Sequence, residues 1–285
     1  MTKTNEEFSV KTDQKYLDHY FKTEEISKKI YHILTSNKFS RDDPTLQMDI
    51  KENIRDQLLD AIGVDHQCIS IGPLVGLWGG TKENKTNEAD QADIIALDYL
   101  GELRELVNKE TVKPGLELTL LFCDWHHIIA NKRSLEESRI YFESLKKLTE
   151  ERQIKTVNLS QDVYKLNQIH FFYNPLDYIS DKQARMQATE VCSNKNAFDK
   201  LVDASKKHSL WVKEGIVNPQ KIAKLYVEME CYFLNRIKDQ YKNPILFSFS
   251  DPDIQKPIAE AVKVPMLYFH ASGKGHHECP WYVAK

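Results

Sequence analysis

The sequence predicts an α/β protein: a Rossmann-like parallel sheet with helices on both faces and an N-terminal helical cap. Three observations predict it. Short continuous apolar runs of strand length alternate with longer stretches whose apolar residues recur at helical spacing, the pattern of strand-helix-strand units. The run Leu116 to Cys123 reads as a fully buried strand, which a parallel sheet covered on each side requires. No repeat, low-complexity segment or long linker divides the chain, so 1–62 is read as the cap and 63–285 as one sheet-containing unit.

Each element follows in order. Asp18 to Leu34 carries Tyr20, Phe21, Ile26, Ile30, Tyr31, Ile33 and Leu34 on one broad face, and Asp49 to Ile62 repeats the pattern until Gly63 stops it. Cys68 to Ile71 is a short apolar strand that runs into Gly72, Pro73, Gly76, Gly79 and Gly80, a turn-forming stretch. Ala92 to Val107 has helical spacing through Ile95, Leu97, Leu100, Leu103 and Leu106, and Pro114-Gly115 breaks it before the buried strand. Ser134 opens a helix through Ile140, Tyr141, Leu145 and Leu148, followed by the strand Thr156 to Leu159. Asp181 to Lys207 and Pro219 to Ile237 are helical, Pro219 suiting a first helical turn. Ile245 to Phe249 and Met266 to Phe269 are the last strands.

Composition narrows the function classes. With 41% hydrophobic, 28% charged and 10% aromatic residues over 285 positions, the chain buries a sizeable core. A net charge of −3 excludes a globally basic nucleic-acid coat. The longest apolar runs, such as Leu118 to Cys123, fall far short of the roughly 18 to 20 residues a spanning helix needs. Met1 to Val10 is polar and lacks the apolar centre of a secretory signal, and the five cysteines form no CxxC pair, so a cytoplasmic location is expected, with inert thiols at Cys68, Cys123, Cys192 and Cys231 and Cys279 left open among polar residues.

In an open parallel sheet, ligands bind beyond the carboxyl ends of the strands. Gly72, Pro73, Gly76 and Trp78 belong to the first such loop, where glycines let the backbone approach a ligand and Trp78 stacks on a ring; the alternative is a plain surface loop. Neither G-x-G-x-x-G nor G-x-x-x-x-G-K-[ST] is present, so a dinucleotide or P-loop site lacks its mechanical part. The second loop holds Asp124, Trp125, His126, His127, Asn131 and Lys132, a set suited to binding an amine, to acid-base work or to ligating a metal; the alternative is a hydrogen-bonded loop beneath a helix. Near the C-terminus stand His270, Lys274, His276, His277, Glu278 and Cys279, but no HxxxH or HExxH spacing occurs, and no metal or cofactor is expected. Tyr226 and Glu230 lie four apart and share a helix face, placed to hold a substrate amine and pass its proton, or simply to pair at the surface. Lys182, Arg185, Lys206 and Lys207 are basic positions that bind RNA only if the fold clusters them.

These residues carry resemblances. Leu120-Leu121-Phe122-Cys123-Asp124-Trp125-His126-His127 followed by Asn131-Lys132 resembles the strand-loop of archaeal-type tyrosyl-tRNA synthetases, and Asp253-Ile254-Gln255-Lys256 resembles their Asp-Gln-Arg segment. Their His-x-Gly-His motif is replaced by Trp78, Gly79 and Gly80, and Ser272-Gly273-Lys274-Gly275 stands near the place of Lys-Met-Ser-Lys-Ser, so adenylation with ATP is not implied. The cyclodipeptide synthases keep the synthetase-type fold without the ATP motifs, and Tyr226-Val227-Glu228-Met229-Glu230 is similar to the helix that holds their aminoacyl amine. This resemblance implies an aminoacyl-tRNA-dependent cyclodipeptide synthase. Tyr226, Glu230 and His126 would be catalytic, with Gly72, Pro73, Gly76, Trp78, Asp124, Trp125, Asn131, Gln255 and His270 binding substrate. Lys182, Arg185, Lys206 and Lys207 would meet the aminoacyl-tRNA partner. Where that family has a nucleophilic Ser after Gly-x, this chain has Gly72-Pro73-Leu74.

A second resemblance is to the isocyanide synthases, which convert Tyr or Trp with a pentulose phosphate. Lys82, Asp90 with Asp93, Pro114-Gly115 leading to Asp124, and Pro280-Trp281-Tyr282 follow the order of their motifs. It implies that Asp124 meets the amino group and that Lys82, Lys85 and His277 face the sugar phosphate. A non-catalytic synthetase paralogue that binds tRNA is the third expectation.

Overall fold

The computed structural model describes residues 24–36, 70–78, 88–110, 115–124, 128, 132–159, 181–241, 244–249, 252–264 and 266–269. Its elements are α1 (24–34), β1 (Ser70–Trp78), α2 (Gln91–Glu110), β2 (Gly115–Phe122), α3 (Leu135–Glu151) and β3 (Lys155–Asn158). There follow α4 (Lys182–Ser193), α5 (Lys195–His208), the single turn α6 (Leu210–Lys213), α7 (Pro219–Gln240), β4 (Ile245–Ser248), α8 (Pro252–Val262) and β5 (Met266–Tyr268). The strands form one five-stranded sheet in the order β3-β2-β1-β4-β5, every neighbouring pair parallel. Among the described residues no helix is long and apolar enough to cross a membrane.

Strand periodicity builds two cores from one sheet, because successive side chains point to opposite faces. Leu116, Leu118, Leu120 and Phe122 of β2, with Ile245 and Phe247 of β4, pack against α1, α2 and α3 through Ile30, Leu34, Leu100, Leu103, Tyr141 and Leu145. The alternate positions, Leu121, Leu246, Met266 and Tyr268, pack against α4, α5, α7 and α8 through Ala184, Ala188, Leu201, Val227, Leu234 and Ile258. Both faces are therefore helix-covered, and the apolar continuity of β2 is explained by burial on each side. Helix 24–34 joins the first core through Ile26, Ile30 and Leu34; the rest of the expected cap, including Asp49 to Ile62, lies outside the described residues.

Helix ends follow local chemistry. Ser134 and Glu137 form a reciprocal capping box at α3, Asp181 caps α4 through Ala184 N at 2.8 Å, and Asn218 caps α7 ahead of Pro219. The Asp181 to Lys207 stretch, read as helical throughout, is divided at Asn194. Its backbone leaves the helical region at φ −74°, ψ 97°, ending α4, while its side chain accepts from Ala197 N and starts α5.

The glycine-rich stretch expected as a loop is corrected. From Ser70 to Trp78 the chain is one strand at the centre of the sheet, paired with β2 on one side and β4 on the other. Gly72 and Pro73 sit where the register shifts: Ile71 pairs with Leu116 and Leu74 with Leu118, so two residues of β1 oppose one of β2. A bulge accommodates a proline that has no N–H for the ladder, and beyond it Leu74 to Trp78 pair in unbroken register. Helix α8 escaped sequence analysis because Pro257 lies inside it, where a proline normally signals a break.

Candidate active site

All five strands run the same way, so their carboxyl ends share one edge. Leu77, Leu121, Val157, Ser248 and Tyr268 stand in one row across the sheet, with Trp78, Phe122 and Asn158 one step beyond. The chain builds outward from β1 through β2 to β3, then returns to β4 on the other side of β1. In such sheets the crevice beyond the carboxyl ends at this reversal is the place for a ligand.

One buried polar cluster sits on the α7 and α8 side of this edge. Tyr226 and Glu230, one helical turn apart on α7, meet directly: the Tyr226 hydroxyl donates to Glu230 Oε1 at 3.1 Å. Gln255, in the opening turns of α8 and so close after the carboxyl end of β4, donates from Nε2 to the Tyr226 hydroxyl oxygen at 2.8 Å. Glu230 and Gln255 are each 1% exposed, and Asp124, which follows β2, is 4% exposed. The Tyr226 ring keeps some exposure while its hydroxyl end is enclosed, and that burial is the first cause holding its pKa well above the usual phenol value. The Glu230 charge adds to the rise, as does the Cys123 thiol at the end of β2, while the Gln255 N–H opposes it. Tyr226 thus remains a neutral phenol, a proton donor rather than a phenolate base.

The structure brings Tyr226, Glu230 and Gln255 together and places Asp124 on the same strand edge. It does not bring Gly72 and Pro73 there: they lie at the amino end of β1, about 17 Å of extended strand before Trp78. Gly76 is inside the sheet, paired with Leu120 and Phe247, and Trp78 ends β1 opposite Phe122. Trp125, His126, Asn131 and His270 lie outside the described residues. Lys182 and Arg185 are exposed at the start of α4, and Lys206 and Lys207 at the end of α5, where Lys206 is already paired with Asp203 at 2.8 Å. Sequence analysis assigned no role at the site to Cys123, Asn158, Ser248 or Tyr268, which lie along the carboxyl ends of four different strands. Their signal is a polar or sulfur-bearing residue closing an apolar strand run, as in Phe247-Ser248.

No protein-family model and no curated protein sequence matches this chain. Its fold does match a solved structure, that of the PvcA protein from Pseudomonas aeruginosa, with a TM-score of 0.65 at 13% sequence identity. The match covers 90% of this chain and 87% of that one, so the two share a fold along nearly their whole length.

Proposed function

We propose that this chain is a biosynthetic enzyme of the isocyanide-synthase type, using a Rossmann-like sheet to hold a free amino acid and join its amine to the carbonyl of a pentulose phosphate. The observation that carries the reading is the likeness in fold to PvcA over most of both chains, which supports this resemblance better than the cyclodipeptide one. The buried cluster suits the chemistry. An amine attacks a carbonyl only after losing a proton, and the condensation to an imine then releases water, so one group must accept a proton and another supply one. Glu230 is the acceptor and the neutral phenol of Tyr226 the donor, in surroundings dry enough to strengthen both interactions. Asp124 holds the substrate ammonium before transfer, which orients the nitrogen toward the carbonyl.

The hydrogen-bonded Tyr226–Glu230 pair favours a second reading, a cyclodipeptide synthase acting on aminoacyl-tRNA. Against it, Leu74 stands where that family has its nucleophilic Ser, and here it pairs with Leu118 and Ile245 inside the sheet. Mass spectrometry separates the two. Purified protein supplied with each proteinogenic amino acid and a pentulose phosphate is expected to yield a product heavier by one carbon and lighter by two hydrogens. That product should be insensitive to ribonuclease and lost in Glu230→Gln. A ribonuclease-sensitive product with the mass of two amino acids less two waters would replace the first reading with the second, and tRNA binding without product would remove both.

A further inference from the structure

The Gln255 side chain is used at one end only. Its Nε2 donates to the Tyr226 oxygen at 2.8 Å, and the orientation is fixed: the single Tyr226 proton is directed at Glu230 Oε1, so an amide turned the other way would set oxygen against oxygen. Its Oε1 is fully buried, in a side chain 1% exposed, and accepts no hydrogen bond among the described residues. Buried carbonyl oxygens of this kind are a small minority in native structures, and each calls for a donor, from water or from a ligand. Gln255 stands in the opening turns of α8, the helix that follows the carboxyl end of β4, and so on the edge at which open parallel sheets take their ligands.

We propose that Gln255 Oε1 is the acceptor for an N–H of the substrate amine and makes Gln255 the residue that distinguishes an amine from its nitrogen-free analogue. The inference rests on the reading that an amino acid is the substrate. Sequence analysis assigned Gln255 to substrate binding; its bond to Tyr226 puts it beside the Tyr226–Glu230 pair. A site whose buried acceptor stays unpaired rejects a ligand lacking the donor far more strongly than one lacking a methylene. The tightest amine binder therefore gains its selectivity here rather than from apolar contact.

The test is calorimetric titration of the full chain with each proteinogenic L-amino acid, followed by the best binder's des-amino analogue. The wild type is expected to bind the analogue at least about tenfold more weakly. In Gln255→Met, which keeps length and removes both amide groups, that ratio should fall about tenfold. Discrimination is scored on Gln255→Met protein that shows a cooperative urea-unfolding transition, which separates loss of the acceptor from misfolding. Unchanged discrimination in Gln255→Met overturns the inference, as does the absence of binding by every amino acid. Discrimination lost in Gln255→Met alone, in a protein that makes no isonitrile, supports the inference while removing the isocyanide reading.

Discussion

Replacing Tyr226 by Phe removes one oxygen atom that serves two buried partners at once. The ring still fills its space, so the cost comes from hydrogen bonding and not from a cavity. Glu230 Oε1 loses a donor at 3.1 Å and Gln255 Nε2 loses an acceptor at 2.8 Å, both in side chains that are 1% exposed. A bond to a charged group contributes about 1.5–3 kcal/mol and a neutral one about 1 kcal/mol, so Tyr226→Phe is expected to destabilise the fold by about 2–4 kcal/mol. Partial exposure of the ring favours the lower end of that range. Equilibrium urea unfolding measures it, and a double-mutant cycle with Glu230→Met should give a coupling of about 1.5–3 kcal/mol. A loss below about 0.5 kcal/mol with no coupling would refute the arrangement, because that is the size of an ordinary surface substitution. The same variant should form no product even where it is fully folded, since the phenol proposed to supply a proton to the departing water is gone.

Alkaline pH should weaken the fold through two groups. Burial, followed by the Glu230 charge, pushes the Cys231 thiol up to about 12 from 9.0, and the Tyr226 phenol is held well above 10.0. Both bind their protons more tightly when folded, so their contribution is complete below pH 9. It falls as pH rises through 9 to 12 for Cys231 and from 10 upward for Tyr226, with a slope of up to about 1.4 kcal/mol per pH unit per group, read from unfolding midpoints. On the opposite face, the Tyr141 hydroxyl donates to Asp93 Oδ1 at 2.7 Å in full burial and ties α3 to the first turn of α2. Tyr141→Phe should cost about 1.5–3 kcal/mol in urea unfolding while leaving turnover per folded molecule unchanged. Ser134→Ala removes the α3 capping box and should cost about 1 kcal/mol, with Ser134→Asp recovering most of it in the same assay.

Local geometry made part of the site legible. Four residues on a helix bring two side chains to one face, so the Tyr226–Glu230 meeting follows from spacing alone. Gln255 reaches the same hydroxyl from 29 residues away, through a strand and a connection whose path depends on the whole sheet. The helix that carries it was hidden by Pro257, tolerated there because packing against α4, α5 and α7 holds the helix despite the lost backbone bond. Gly72 and Pro73 misled in the opposite sense. They are turn formers in isolation, yet ladders from β2 and β4 on both sides keep the chain extended and reduce their effect to a bulge.

The sequence by itself determined what one element can decide alone: alternation of strand and helix, the two-faced apolar pattern of β2, the helix starts at Ser134 and Pro219, and the Tyr226–Glu230 turn. These depend on the backbone repeats of helix and strand and on side chains a few residues away. Only the tertiary structure decided that β1 lies between β2 and β4, that Gly72 and Pro73 are far from the strand edge where Trp78 ends, and that Gln255 closes the Tyr226 network. Each of these compares partners distant along the chain, and the choice among them is made by burial shared across the whole sheet.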